Sequence, residues 1–193
     1  TRDFVIDGVG DIMDPLGLSG NRLEVNTLVV DAFIPHVKSL IKVIDLVGGE
    51  ISGLVFTPLA GSRSVLSKVQ RDLGTVLIDI GFGTTGISVY EENRLIGLAK
   101  FPVGAGNISK DLAVGLKIPV AAADDLKLNY GYALAREVGA KEFVELKIFS
   151  PVIQGTVSRR FVAEIIEARL AEIFEFVNNE LKLLGKAGKL PGG

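Results

Sequence analysis

Apolar residues recur at every third or fourth position over several long stretches of the chain, which is the spacing of one helix face. With the capping and breaking residues that flank them, these stretches predict five helices, at about 32–47, 57–69, 107–117, 119–137 and 159–184. Asp31 is expected to cap the first helix, and Thr57, which precedes Pro58, the second. The last helix carries a regular apolar stripe from Val162 to Leu184.

Shorter runs rich in β-branched residues predict strands at 23–30, 51–56, 74–80, 87–90 and 95–98, and a strand with a loop within 139–157. Before them, Phe4 and Ile6 predict a strand entry, followed by a turn-rich loop to residue 22. The run 74–80 is expected to be buried on both faces of a sheet, and 91–94 to connect a hairpin. The mixture predicts an α/β fold whose strands do not simply alternate with helices.

Composition narrows the chemistry that the chain can carry out. The 193 residues include no cysteine and one histidine, which removes disulfides, thiolate metal sites and cysteine nucleophiles and makes a Ser-His-Asp triad hard to build. The formal net charge is −2, without a polybasic run, so we expect no nucleic-acid partner. The first four residues contain neither an apolar leader nor an initiator Met, and we expect the chain to be the interior of a longer protein.

The candidate chemistry lies in a glycine-rich turn, Gly81-Phe82-Gly83-Thr84-Thr85-Gly86, which follows Asp79 at the end of a predicted strand. Its glycine spacing satisfies the dinucleotide-binding fingerprint. That fingerprint requires a helix directly after the turn, because the helix N-terminus receives the pyrophosphate. Here a second apolar strand follows, so we reject a dinucleotide site.

A phosphate-binding turn between two strands is the better interpretation. Gly81 and Gly83 are expected to adopt positive φ, so that successive backbone N–H groups form an anion-binding nest. Thr84 and Thr85 would add hydroxyl donors. Asp79 suits a water-mediated Mg²⁺ contact or the orientation of an attacking water. An ordinary glycine-rich hairpin, with Asp79 capping the turn, stays open as the alternative.

The segment 74–90 resembles the second phosphate motif of the actin/DnaK/sugar-kinase ATPase superfamily, and within it the chain resembles the FtsA family of bacterial cell-division proteins. Five further blocks resemble that family in order: 7–24, 56–62, 102–111, 123–131 and 164–173. Two departures are that Phe82 stands where the family usually has a third glycine and Asp124 where it has glutamate.

The resemblance implies an actin-like (ribonuclease-H-like) ATPase fold that is incomplete in this chain. Residues 1–30 would be the C-terminal part of the inserted (SHS2) subdomain, 31–73 part of the first actin-like lobe, and 74–193 the second lobe, ending before the adenosine motif. The first phosphate loop of the family would lie upstream of this chain.

The resemblance also implies which residues contact ATP and Mg²⁺. Asp79 would be the catalytic and metal residue, and Gly81, Phe82, Gly83, Thr84 and Thr85 would bind phosphate. Gly104, Gly106 and Asn107 would line the cleft floor, or would form only a strand-to-helix turn with Asn107 as N-cap. Asp124 would lie near the ribose. Lys127 would contact the nucleotide, or would form an i,i+3 pair on a solvated helix face.

The implied function is that of an ATP-binding cell-division protein that polymerises into actin-like filaments and links the FtsZ ring to the cytoplasmic membrane during septum formation. ATP would act mainly as a conformational ligand, with slow hydrolysis at most. The protein would be cytoplasmic and peripheral on the inner face of the membrane at the division site, held through a C-terminal helix that this chain does not include.

Three alternatives stay open at this point. A PilM-type pilus-assembly protein shares the superfamily motif, although the block at 14–24 favours FtsA. A sugar-kinase-type phosphotransferase needs a general base and a sugar-reading group of side chains, and Asp79 is the only carboxylate at the turn. The third is a chain too incomplete to bind nucleotide tightly.

Overall fold

The computed structural model describes residues 3–149 and 154–193. The chain divides into two compact units. The first comprises residues 1–77, 88–98 and 190–193, and the second comprises 78–87 and 99–189. Among the described residues, no helix is both long enough and apolar enough to cross a membrane.

The first unit begins with a small antiparallel sheet in the order β2-β1-β3, formed by β1 (Asp3–Ile6), β2 (Val9–Ile12) and β3 (Leu23–Asn26). The predicted strand at Phe4 and Ile6 is confirmed, but the long loop expected up to residue 22 contains β2. The strand predicted at 23–30 ends at Asn26. The Asp7 carboxylate accepts N–H groups from Asn21 and Arg22 at 2.8–3.0 Å, which fixes the loop end beside β1.

Helix α1 (Ile34–Leu46) confirms the first predicted helix, but Asp31 does not cap it. The N-cap is Phe33, without a side-chain hydrogen bond, and Pro35 lies in the first turn. The apolar run 51–56 forms no strand, contrary to prediction, because none of the described strands pairs with it. A run with strand propensity forms a strand only where a neighbouring strand pairs with its backbone.

Two short helices replace the single one predicted at 57–69. Helix α2 (Thr57–Val65) has Phe56, not Thr57, as N-cap, and Pro58 is in its first turn. Helix α3 (Lys68–Leu73) begins at Ser67, whose side chain forms a capping box with Gln70. Ser67 starts a new helix because its hydroxyl accepts the N–H of Gln70. That N–H lies in the first turn of α3 and has no acceptor within the helix.

The central sheet has the order β4-β5-β6 and is formed by β4 (Thr75–Ile80), β5 (Thr85–Glu91) and β6 (Arg94–Phe101). The predicted hairpin is confirmed: Glu92 and Asn93, both at positive φ (50° and 59°), join β5 to β6, as a two-residue hairpin turn requires. The burial predicted for 74–80 is wrong, because β4 lies at the edge of this sheet and is only partly covered. The central strand β5 is buried instead.

The second unit packs three helices around one apolar core: α4 (Ala105–Leu116), α5 (Val120–Tyr130) and α6 (Arg159–Leu183). These confirm the predicted helices, although α5 ends at Tyr130 rather than near 137. The prediction within 139–157 is met by β7 (Phe143–Glu145) and β8 (Thr156–Ser158), which pair with each other, while 150–153 lie outside the described residues. The core is built from buried side chains of all these elements: Ile108, Leu112, Ala122, Leu126, Val144, Val157, Val162 and Ile166.

Candidate functional site

The glycine-rich turn lies between two strands of the central sheet, as the sequence indicates. Residues 81–84 connect β4 to β5, and Gly81 N–H donates to Thr84 O at 2.9 Å, which closes the turn. A strand, not a helix, follows directly. The dinucleotide interpretation is therefore excluded on the structure as well, because its mechanism needs a helix N-terminus at this point.

The first turn of α4 is hydrogen-bonded to this glycine-rich turn. The N–H of Ala105 donates to Gly81 O at 2.9 Å, and that of Gly106 donates to Phe82 O at 2.6 Å. The first free amides of a helix commonly bind anions or caps. Here two of them donate to carbonyl groups of the turn, so these two N–H groups are not available to an anion.

Two glycines make this close approach possible. A Cβ atom at Gly104 would meet Gly81 O, and would lie 2.8 Å from both Phe82 O and Thr84 N. A Cβ at Gly106 would lie 2.8 Å from the Phe82 ring. Gly104 is the N-cap of α4, so the expectation that Asn107 is the N-cap is wrong: Asn107 lies three residues on, and its Oδ1 accepts the Gly104 N–H at 3.1 Å.

The carbonyl contacts decide where the amides of the turn point. In a trans peptide, C=O and the following N–H point in opposite directions, and the described part of the chain has no cis peptide. Because Gly81 O and Phe82 O point toward α4, the N–H groups of Phe82 and Gly83 both point away from it. Within the described residues, neither of these two N–H groups donates to any protein atom.

The predicted conformation of the two glycines is wrong, and the amides that point away from α4 are those of Phe82 and Gly83. Neither Gly81 nor Gly83 has a φ in the left-handed region. The direction of the amides comes from the hydrogen bonds with α4, which sequence alone does not reveal. A Cβ at Gly81 would lie 3.1 Å from Thr84 O, a tight contact with the backbone, whereas a Cβ at Gly83 would meet nothing within 4 Å.

The two threonines of the turn differ. Thr85 is fully buried, and its hydroxyl donates to Val103 O at 2.8 Å. Its proton is therefore already used within the protein, which corrects the expectation that Thr85 supplies a hydroxyl donor to phosphate. Thr84 is half-buried, and its hydroxyl makes no hydrogen bond with the part of the chain that the structure describes.

Asp79 lies on β4, two residues before Gly81, with its side chain exposed. No cluster of three or more His, Cys, Asp or Glu residues occurs among the residues described. A single exposed carboxylate beside the glycine-rich turn would supply one protein ligand, which fits Mg²⁺, an ion that proteins commonly hold largely through water and phosphate.

Asp124 and Lys127 on α5 meet Ser109 of α4 in a compact polar cluster. The Asp124 carboxylate accepts hydrogen bonds from Ser109 Oγ and Lys127 Nζ, both at 2.6 Å, and Lys127 Nζ lies 2.8 Å from Ser109 Oγ. The hydrogen bond from Lys127, followed by that from Ser109, lowers the pKa of Asp124 below its usual value. The i,i+3 pair is present, but Lys127 is 14% exposed and so does not lie on a solvated face.

A backbone link joins this cluster to the turn. Lys127 Nζ also donates to Ala105 O at 3.4 Å, and Ala105 N–H donates to Gly81 O. The structure thus brings the predicted residues of the turn, of α4 and of α5 together within the second unit. Sequence reasoning missed Ser109; the available signal is a polar residue on the apolar face of α4, three residues before the buried Leu112.

Family models match two separate parts of the chain. A model described as "Cell division protein FtsA" matches residues 76–190, well over half of the chain. A model of the SHS2 domain inserted in FtsA matches residues 1–31. The chain belongs to the FtsA family. FtsA of Bacillus subtilis (strain 168) is 34% identical over 192 residues, which cover 100% of this chain and 43% of that relative. This chain therefore spans less than half the length of that FtsA protein.

Solved structures give the fold of this FtsA-family chain. MreB 5 of Spiroplasma citri bound to AMPPNP is 14% identical, with a TM-score of 0.62 over 78% of this chain and 48% of that one. A type IV pilus biogenesis complex, PilM–PilN, is also 14% identical, with a TM-score of 0.56 over 76% of this chain and 36% of that one. Both confirm the expected actin-like ATPase fold. The likeness to PilM is one of fold alone, so it does not compete with the family assignment.

Proposed function

We propose that this chain supplies one side of an ATP site in an FtsA-type cell-division protein. This side, called the phosphate wall, consists of the N–H groups of Phe82 and Gly83 and the hydroxyl of Thr84. The observation that carries the proposal is the pair of neighbouring N–H groups, of Phe82 and Gly83, that point away from α4 and have no partner among the described residues. Neighbouring backbone N–H groups without a protein partner are a common way to bind phosphate. The half-buried Thr84 hydroxyl lies beside them and adds a donor.

Asp79 is proposed to act on Mg²⁺ through water, since its exposed carboxylate lies at the end of the strand that leads into the turn. Bound Mg²⁺ would neutralise phosphate charge. Asp124 and Lys127 are proposed to contact the rest of the nucleotide, because Ala105 ties their cluster to the turn. The division of the chain into an inserted subdomain (1–30), a first lobe (31–73) and a second lobe (74–193) is part of the same proposal.

Binding of Mg·ATP, followed by calorimetry, tests the phosphate wall. We expect saturable binding that tripolyphosphate displaces and adenosine does not. Equal displacement by adenosine would contradict a phosphate-based site. In Asp79→Asn we expect the affinity for ATP to become the same with Mg²⁺ and with EDTA, whereas Asp72→Asn, an exposed aspartate away from the turn, keeps the difference.

Membership of the FtsA family supports a proposal for the cellular role. We propose that the protein self-associates into actin-like filaments, acts with FtsZ at the inner face of the membrane at the division site, and uses ATP mainly to switch conformation. Co-sedimentation with FtsZ polymers, compared with and without Mg·ATP, is the direct assay. Failure to co-sediment, together with phosphorylation of a sugar in a parallel screen, would favour a sugar-kinase-type phosphotransferase instead.

A further inference from the structure

The Phe82 ring lies on the backbone of α4 at Gly106. A Cβ atom placed on Gly106 would be 2.8 Å from both Cε1 and Cζ of the ring, and 2.9 Å from Phe82 O. The ring and a side chain at position 106 therefore cannot occupy the same space. The same two residues are joined by the hydrogen bond from Gly106 N–H to Phe82 O at 2.6 Å.

This contact is not part of the apolar core. Phe82 is 68% exposed, so burial of its ring contributes little to folding compared with a core phenylalanine. What the contact does is fix one peptide unit of the turn. The Gly106 N–H holds Phe82 O against α4 by a hydrogen bond, and the contact of the Phe82 ring with Gly106 holds the side chain of the same residue there. The N–H of Gly83, in the same peptide unit, is thereby held pointing outward.

We infer that Phe82 is a positioning residue, whose ring seated on Gly106 keeps the amides of the turn aimed at an anionic phosphate group. The inference rests on the proposed phosphate wall and extends it by naming the side chain that sets its geometry. A preorganised donor pair loses less entropy on binding than a mobile one, so affinity for phosphate depends on this contact.

A double-mutant cycle measures the coupling. Phe82→Ala and Gly106→Ala are each expected to weaken tripolyphosphate binding by about 5-fold or more, and the double variant should be no weaker than the worse single variant, because both break one contact. Phe82→Tyr keeps the ring and should bind as the original chain does. Additive losses, or a Phe82→Ala variant that binds normally, would overturn the inference.

Gly115→Ala serves as the matched control. It lies in the same helix, where a Cβ meets only the end of the Ile165 side chain at 3.1 Å. This variant should bind tripolyphosphate normally. If Gly115→Ala weakened binding as much as Gly106→Ala, the effect would come from the helix and not from the ring contact.

A second readout needs no ligand. Hydrogen exchange at the Gly106 amide, which donates to Phe82 O, should accelerate by about 5-fold or more in Phe82→Ala and stay unchanged in Phe82→Tyr. Unchanged exchange in Phe82→Ala would overturn the positioning role. Absence of tripolyphosphate binding by the unmodified chain would instead overturn the phosphate wall, so the two failures are distinguishable.

Discussion

Helices α1 and α4 are both amphipathic in sequence and nearly equal in length, but only one of them is covered. In α4, Ile108, Leu112 and Ala113 are buried, whereas α1 has no buried residue at all. Along α1, Ile34, Leu40 and other large apolar side chains are more than half exposed. Apolar periodicity reports which side of a helix is apolar; whether anything covers that side depends on contacts distant in sequence.

Truncation of a core leucine tests this contrast with the largest expected effect. Leu112→Ala in α4 should lower the free energy of unfolding by about 3 kcal/mol, because the side chain is fully buried and its loss leaves a cavity. Leu40→Ala in α1, where the leucine is 65% exposed, should change it by less than about 0.5 kcal/mol. Urea unfolding followed by circular dichroism measures both. Equal losses would mean that α1 is packed as tightly as α4.

The two threonines of the glycine-rich turn compare a fully buried hydroxyl, on Thr85, with a half-buried one, on Thr84. Thr85→Val should cost about 1.5 kcal/mol, because the buried Val103 carbonyl loses its donor. Thr84→Val should leave stability unchanged and instead weaken phosphate binding. The same urea series, with tripolyphosphate titrations of each variant, separates the two roles. Reversed results would place the phosphate-binding hydroxyl on Thr85.

The smallest expected effect is the dependence of stability on acid pH that comes from Asp124. Because the fold lowers the pKa of Asp124, its carboxylate stabilises the fold above its unfolded pKa near 3.8, and that contribution is lost as the pH falls through the lower folded value. Asp124→Asn should therefore lose less stability than the unmodified chain on acidification. Since the carboxylate is 37% exposed, solvent screening keeps the difference small.

Urea midpoints at about pH 5 and about pH 3 give this comparison, since that interval brackets the ordinary titration of aspartate. Asp125→Asn is the matched control, because it changes the neighbouring, exposed aspartate of the same helix. An Asp124→Asn variant as acid-sensitive as the unmodified chain would contradict a stabilising role for the Asp124 cluster.

The sequence predicts those elements whose formation depends on residues close together along the chain. The long helices and the hairpin around Asn93 follow from periodicity and turn chemistry. Strand β2 was not predicted, because Gly10 and Asp11 interrupt its alternation and the strand forms only through pairing with β1. Conversely, the apolar run 51–56 has strand propensity but lacks a pairing partner among the described strands.

Some features of the candidate site also depend on nearby residues and others on residues distant in the chain. The turn and its Asp79 were recognisable from sequence. The direction of the amides was not, because it depends on hydrogen bonds from Ala105 and Gly106, more than twenty residues further along the chain. The sequence predicted a nest through positive φ, whereas the outward direction of the Phe82 and Gly83 amides comes from long-range hydrogen bonds with α4. The role of Thr85 was likewise hidden until Val103 could be placed beside it.

The most direct test of the central claim is an ¹⁵N NMR titration of this chain with tripolyphosphate, read residue by residue. We expect saturable shifts that are largest at the amides of Phe82 and Gly83, which point away from α4. Smaller shifts are expected at Ala105 and Gly106, whose N–H groups are already donated to the turn. Shifts largest at Ala105 and Gly106, or no shift in the turn at all, would contradict the claim.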